Sequence, residues 1–357
     1  MKKKILFILP SLKTGGTEKV MVTFFNQLDR NLFDPYFCAL SSGIMAQKIN
    51  EDSKLIILSS RRVMYCVYKL LRVINKIKPD VIFSSHSHLN ALLGLLKKIS
   101  LIKTRLVIRE SNYLSLQQSM ARSIYEKYFI TWMIKFSYKS ADHLICQTEE
   151  MKEDSYSFLP SWNVPTSVIH NPLTYIPPFI SDLPNKYIIT IGRLEKQKNQ
   201  QLLILAYKKI KDLIPHNLVI IGEGSERIIL EQLINNNGLN DRVFLKGHTE
   251  DPWLEYKNSA LFVLTSNYEG FPNVLIEAMA NSTPVISSDC SSGPKEIIQH
   301  GVNGLLFPIK DGDALAKLMI SVLLNNKMSA SFKENAFMTI NRLYGNFKST
   351  NDLQLIL

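Results

Sequence analysis

The strongest constraint on the fold is an alternation. Through the first half of the chain the apolar runs ILFILP, DPYFCALSS, KLIILSS, DVIFSSH, RLVIRES and DHLICQTE are separated by helical stretches. Strand, helix, strand in regular succession specifies crossover connections, and crossovers join parallel strands into one sheet. A second series, YIITIGR, NLVIIGEG, VFLKGH, LFVLTS, PVISSD and GLLFPI, follows the proline-rich stretch HNPLTYIPPFISDLPNK at 170–186. Prolines at 172, 177, 178 and 184, with Pro165 just upstream, mark that stretch as a boundary. The expected class is α/β, with two doubly wound domains facing a cleft. Their spans are 1–170 and 187–330, with a linker at 171–186 and a C-terminal helical segment at 331–357. Ligands in such sheets bind beyond the carboxyl ends of the strands.

Length and composition are consistent with this. With 357 residues, 46% of them hydrophobic, the chain can fill two cores. The cysteines Cys38, Cys66, Cys146 and Cys290 form no C-x-x-C pair, which argues against a zinc site or a disulfide framework and for a reducing, cytoplasmic setting. The opening MKKKILFILPSL has an apolar stretch of about eight residues followed by TGGTEK, which fits a first strand better than a signal peptide. No apolar run approaches the roughly 20 residues that span a bilayer.

The net charge of +11 is unevenly placed: residues 1–170 hold 24 Lys+Arg against 13 Asp+Glu, and residues 171–357 hold 18 against 18. Basic residues interleave with aromatic and aliphatic ones at 59–79, which includes Arg61, Arg62, Lys69 and Arg72, and again at 95–105 and 121–139. Any one segment reads equally well as a solvated helix face. Three in one half point to an anionic partner, and with no nucleic-acid motif present the expected partner is an anionic membrane surface, not nucleic acid.

Two carboxylates frame a short loop in SNYEGFPNVLIEAMANSTPVISSD at 266–289. Turn residues followed by a helix former would account for Glu269 as a loop charge and Glu277 as an interior helix residue. Yet Glu277 lies among Val274, Leu275, Ile276, Ala278, Met279 and Ala280, and a carboxylate in apolar company needs a partner. The helix N-terminus of such a strand, turn, helix, strand unit attracts anions. After YIITIG come Arg193 and Lys198, two cations in a loop leading into a helix and suited to a diphosphate. Gly15 and Gly16 in KTGGTEKV permit close backbone approach and equally fit a tight turn. Gly222 and Gly224 lack the third glycine of a dinucleotide motif, since position 227 is Arg. Asp311-Gly-Asp313 runs into ALAKLMISVLL, so Asp313 is expected to cap that helix, not to hold a metal.

In order and spacing these motifs resemble the retaining nucleotide-sugar glycosyltransferases of family 4 (glycosyltransferase group 1), built from two Rossmann-like domains in the GT-B fold. EGFPNVLIE is similar to the family's two glutamates separated by seven residues. GRLEKQKN, GEGSERIILE, SSGPKEIIQHGVNGLLFP and LKTGGTEKV strengthen the likeness, which covers nearly the whole chain. The resemblance implies that Glu277 holds the ribose hydroxyls, that Glu269 contacts the donor sugar, and that the backbone of Gly270, Phe271, Pro272, Asn273 and Val274 meets the sugar and diphosphate. Gly15, Gly16, Gly222 and His248 are expected as further donor-binding positions. Arg193 and Lys198 would balance charge on the leaving diphosphate and Glu269 the charge on the sugar, which makes these three the expected catalytic residues.

Where many family members carry a histidine on the N-domain side, this chain has Arg109 and Glu110. Glu110 and His88 are therefore candidates for hydroxyl contacts, and either of His86 and His88, one strand earlier, could face the cleft. The resemblance implies no metal or other cofactor, a C-terminal helix returning toward the N-domain, and a departing phosphate that takes the acceptor proton. The expected reaction is transfer of a hexosyl or N-acetylhexosaminyl group from a nucleotide sugar, UDP ahead of GDP, to a lipid-linked saccharide. Its setting would be bacterial capsule, O-antigen or lipopolysaccharide assembly at the inner face of the plasma membrane. A sugar-nucleotide epimerase of the same fold would have no use for a basic amphipathic half, and a non-catalytic subunit no need of Glu269, Glu277, Arg193 and Lys198 together.

Overall fold

The computed structural model describes residues 1–13, 15–50, 54–59, 66–119, 123–159, 163–179, 186–249, 251–291 and 293–357. The chain divides into two compact units, one of residues 1–174 and 347–357, the other of 175–346. The division falls inside the expected linker, of which 180–185, with Pro184, lie outside the described residues.

The first unit runs β1 (Lys3–Ser11), α1 (Gly16–Gln27), β2 (Phe33–Ser41), β3 (Lys54–Ile57), α2 (Val67–Ile77), β4 (Val81–Ser85), α3 (Ser87–Lys98), β5 (Arg105–Arg109), α4 (Leu114–Ser119), α5 (Ile124–Tyr138), β6 (His143–Cys146), α6 (Glu149–Phe158) and β7 (Thr166–Val168). Among the described residues its strands form one sheet in the order β3-β2-β1-β4-β5-β6-β7, every pairing parallel.

The second runs β8 (Tyr187–Ile191), α7 (Gln200–Ile210), β9 (Asn217–Ile221), α8 (Arg227–Asn236), β10 (Val243–Gly247), α9 (Pro252–Lys257), β11 (Ser259–Leu264), α10 (Asn273–Ala280), β12 (Val285–Ser288), α11 (Pro294–Ile297), β13 (Leu305–Phe307), α12 (Gly312–Leu323) and α13 (Asn326–Tyr344). Its sheet, also parallel throughout, has the order β10-β9-β8-β11-β12-β13.

Both units are thus Rossmann-like α/β layers, as the alternation predicts. Sheets covered on both faces demand apolar residues at consecutive positions, and β11 is buried at all of them. Among the described residues the one strand not anticipated is β7, whose TSV is too short to carry a period.

The C-terminus departs from the expected boundaries. In α13, Phe332, Ala336, Ile340 and Tyr344 are buried at a spacing of four, a stripe that packs on α10, so residues 331–346 complete the second unit. Only the last helix, α14 (Lys348–Ile356), returns to the first unit. Leu353 and Leu357 join the core of Ile5 and Phe24, and Asp29 donates its backbone N–H to Gln354 Oε1 at 2.8 Å. The expected cap also shifts by two residues. Helix α12 begins at Gly312, so Asp311 occupies the cap position and accepts from Ala314 N at 2.8 Å. Asp313 falls in the first turn, where it pairs with Lys209 at 2.5 Å.

At the end of β9 the chain requires glycine. Gly222 has φ +141°, donates its N–H to Gly247 O at 2.7 Å, and leaves no room for a Cβ, which would stand 1.9 Å from Gly192 O. Gly238 also has a positive φ, +60°, but nothing lies within 4 Å of its Cβ position. Gly222→Ala is therefore expected to cost at least about 2 kcal/mol, which lowers Tm by several degrees, and Gly238→Ala about 1 kcal/mol or less. Thermal unfolding of the two variants checks this; equal losses would contradict it.

Candidate functional site

The order of the second sheet reverses between β8 and β11, and the loops that leave those two strands carry the residues of interest. The loop after β8, residues 192–199, is clamped from both sides. On one side Leu194 N donates to Glu223 O at 2.9 Å and Ser225 Oγ to Glu195 Oε2 at 2.9 Å. A Cβ on Gly224 would come within 2.3 Å of Leu194 O, so the residue must be small. On the other side Gln197 Nε2 donates to Tyr268 O at 2.9 Å, Asn267 N to Gln197 O at 2.8 Å, and Thr265 Oγ1 to Lys198 O at 2.9 Å.

These ties bring Lys198 and Glu269 together. Lys198 Nζ lies 2.6 Å from Glu269 Oε1, and the same oxygen accepts from Ser266 Oγ at 2.5 Å. Glu269 is only 5% exposed. Oε2 of Glu269 carries no hydrogen bond among the described residues, and two N–H groups of the ammonium remain beyond its ion pair. Arg193 lies in the same loop, exposed, with Nη2 3.3 Å from Gln197 Oε1.

Glu277 answers to a different partner. It is 6% exposed on α10, and its Oε2 accepts from the Tyr256 hydroxyl of α9 at 3.2 Å. Burial, with the carboxylate beside it, pushes the Tyr256 phenol well above its ordinary range, so it stays a donor. Between the glutamates, Gly270 to Pro272 lead into the first turn of α10, where Pro272 occupies the cap position. Gly293, at φ +99°, packs so close to Pro272 that a Cβ would be 2.5 Å from its ring, and Glu269 N donates to Ser291 O at 3.3 Å. Asn273 and Val274 begin the helix.

The other expected residues are elsewhere. Gly222 ends β9, and His248 is exposed beyond β10, two strands from β8. Gly15, Gly16, Glu110 and His88 belong to the first unit. Gly15 precedes α1 in extended conformation and Gly16 begins it, so neither occupies a backbone region that only glycine can adopt. His88 is exposed on α3.

Glu110 does not face outward. It is 1% exposed, accepts from Ser87 Oγ and Asn90 Nδ2 at 3.0 Å each and from the Tyr138 hydroxyl, and burial raises its pKa. With three donors of its own domain around it, this carboxylate knits β5 to α3 and α5 and is not poised for a ligand hydroxyl. Sequence reasoning missed Ser266, Gln197 and Tyr256. Only Ser266 had a local signal, a hydroxyl three positions before an enclosed carboxylate.

The basic aromatic segments of the first unit can be partly placed. Arg61, Arg62 and Arg122 lie outside the described residues. Lys69 donates to Leu58 O at 2.9 Å and Arg72 covers the Tyr68 ring at 4.8 Å. On α5, Ile124, Tyr128, Phe129 and Trp132 are exposed, and Trp132 stacks on Phe136, with centroids 5.3 Å apart. Lys98 lies 3.5 Å from the Phe136 centroid, and Lys103, Lys127 and Lys139 are exposed nearby in sequence. Among the described residues no helix is long and apolar enough to cross a membrane.

Residues 176–338 match the family described as Glycosyl transferases group 1, and residues 14–174 match Glycosyltransferase Family 4. An uncharacterized glycosyltransferase of Methanocaldococcus jannaschii is 33% identical over 297 residues, 76% of this chain and 71% of that one. The Campylobacter jejuni N-acetylgalactosamine-N,N'-diacetylbacillosaminyl-diphospho-undecaprenol 4-alpha-N-acetylgalactosaminyltransferase is 27% identical over 355 residues, 94% of each chain. Among solved structures, the Anabaena protein HepE in complex with UDP superposes with a TM-score of 0.83 at 18% identity, covering 100% of this chain and 99% of that one, a likeness of fold. The chain is a group 1 glycosyltransferase, with an N-terminal unit of the family 4 type and the GT-B fold.

Proposed function

We propose that the protein transfers a sugar from a UDP-sugar to a saccharide carried on a polyprenyl diphosphate, with retention of anomeric configuration and without a metal ion. The observation that carries this reading is the meeting of Lys198 and Glu269, 2.6 Å apart, across the β8/β11 switch point, with Arg193 in the same loop. Breaking the bond between the anomeric carbon and the phosphate oxygen puts negative charge on UDP and positive charge on the sugar. Lys198 keeps N–H donors for the phosphate while paired to Glu269, and Arg193 adds a second fixed cation, so the charge a metal supplies elsewhere comes from side chains. Oε2 of Glu269 accepts from the donor sugar's hydroxyls, and Glu277, held by Tyr256, accepts from the ribose. The acceptor oxygen bonds to the anomeric carbon on the face UDP leaves, and its proton passes to the departing phosphate.

The choice of substrates takes its support from relatives and structural neighbours. HepE is described in complex with UDP and with UDP-glucose, the Campylobacter relative's name specifies a diphospho-undecaprenol acceptor and an alpha linkage, and a relative from Erwinia amylovora is named for amylovoran biosynthesis. A lipid-borne acceptor also gives a use to the lysine-flanked aromatic stripe of α5, since Trp and Tyr favour the headgroup region and each basic residue near an anionic surface adds about 1 kcal/mol.

UDP release from a panel of UDP-hexoses and UDP-N-acetylhexosamines, with and without a polyprenyl-diphosphate saccharide in EDTA, tests the reaction. Lys198→Ala is expected to lower kcat by about 100-fold or more, and Glu277→Ala mainly to raise the donor KM. NMR of the product should show an α linkage from an α-linked donor; a β linkage would contradict retention. In vesicle flotation, wild type should float with anionic liposomes at low salt and release as salt rises. Trp132→Ala combined with Lys98→Glu and Lys103→Glu should release it at lower salt, whereas an absence of flotation at any salt would contradict the membrane partner.

A further inference from the structure

The first unit has a switch point of its own, between β1 and β4. Three polar side chains meet there that the family motifs above do not assign. Ser11 ends β1, Glu18 occupies the first turn of α1, and His86 precedes α3 directly after β4. Glu18 is 8% exposed; its Oε1 accepts from Ser11 Oγ at 3.2 Å and lies 3.9 Å from His86 Nε2. His86 is held at φ +81°, a region that costs a non-glycine residue energy and that persists where the surrounding structure imposes it. Its ring stays partly open, the side chain 36% exposed.

A second observation comes from beneath the pair. Arg109, at the end of β5, is completely buried; Nη2 donates to Asn171 Oδ1, while Nε and Nη1 have no hydrogen-bond partner among the described residues. A buried cation left partly unsatisfied is costly, and burial lowers its pKa to about 10. Its charge acts on His86. The groups that face this imidazole are Glu18, Arg109 and His88. Burial lowers its pKa, Glu18 raises it, Arg109 and His88 lower it, and the net direction is down. At neutral pH His86 is therefore neutral, offering one N–H and one bare nitrogen.

A separation of 3.9 Å is too long for a direct hydrogen bond, yet one oxygen atom can stand about 2.8 Å from both groups. The carboxylate can only accept and the neutral imidazole can donate, so the atom that suits both is an oxygen that donates and accepts at once, that of a hydroxyl or of the water it displaces. We propose that Glu18 and His86 jointly bind one hydroxyl of the saccharide acceptor at the β1/β4 switch point, the hydroxyl donating to Glu18 and accepting from His86. The assignment rests on the glycosyl-transfer reading above and places a hydroxyl contact of this unit at Glu18 and His86, where the sequence had offered His88 and Glu110. Protonation of His86 in acid would pair it with Glu18 and displace the hydroxyl. Transfer should thus fall as pH drops through the lowered pKa of His86.

The test compares wild type, Glu18→Gln, His86→Gln and His86→Gly. Its three readouts are transfer to a polyprenyl-diphosphate N-acetylhexosamine, calorimetric affinity for UDP, and Tm. Glu18→Gln and His86→Gln should each lower kcat/KM for the acceptor by about 30-fold with UDP affinity unchanged, and His86→Gln should lose the acid limb of the pH profile. His86→Gly should lose transfer with a Tm at or above that of wild type, because glycine accepts the backbone angle, whereas a merely structural histidine would lower it. Wild-type kcat/KM in both Gln variants overturns the pair, as do losses of UDP affinity or Tm in step with activity. A wild type that binds UDP but transfers to no acceptor overturns the glycosyl-transfer reading itself, and the pair with it.

Discussion

Parallel strands cannot be joined by tight turns. Each connection must cross back over the sheet, so every strand ends at one edge and every crossover helix begins there. This constraint organises both units. It gathers the loops after β8, β9, β11 and β12 at one edge of the second sheet, and it brings the helix that starts at Asn273 to the same place. Polar residues that would be scattered in sequence, Lys198 and Glu269 seventy-one positions apart, become neighbours because β8 and β11 are adjacent.

What the loops then do with those residues is expensive. Burying a lysine and a glutamate costs several kcal/mol per ion before their attraction is counted, and such pairs are weak evidence of a stabilising purpose. Glu269 accepts from Ser266 as well as Lys198, and the loop beneath is fixed by Gln197, Asn267 and Thr265. That scaffolding holds a charge pair where an apolar contact would stabilise the domain at least as well. Under the proposed function the pair meets diphosphate charge without reorganising at the moment of reaction, which would account for its retention.

The strands were legible because sheets covered on both faces leave continuous apolar runs, as in SALFVL and YIITI. The need of Glu277 for a partner was legible too, from the apolar residues around it. Its partner was not, because Tyr256 reaches it only through the packing of α9 on α10. Glu110 looked like a strand-end carboxylate facing outward. In fact Tyr138 of α5 closes over the end of β5, a contact no local pattern announces. Asp311 and Asp313 differ in role by where the first helical residue falls, which composition cannot resolve. Glu18 reads as an ordinary acidic residue in a first helical turn, and nothing near it in sequence points to His86.

Under the proposed function, side-chain cations, Lys198 above all, hold the second phosphate of the nucleotide. Calorimetric titration of UDP and UMP in EDTA tests it most directly, because the two ligands differ by that phosphate alone. Wild type should prefer UDP, and Lys198→Ala should shrink the preference by about tenfold while leaving UMP affinity in place. An unchanged UDP-to-UMP ratio in Lys198→Ala, or a UDP affinity that disappears in EDTA, would contradict the account.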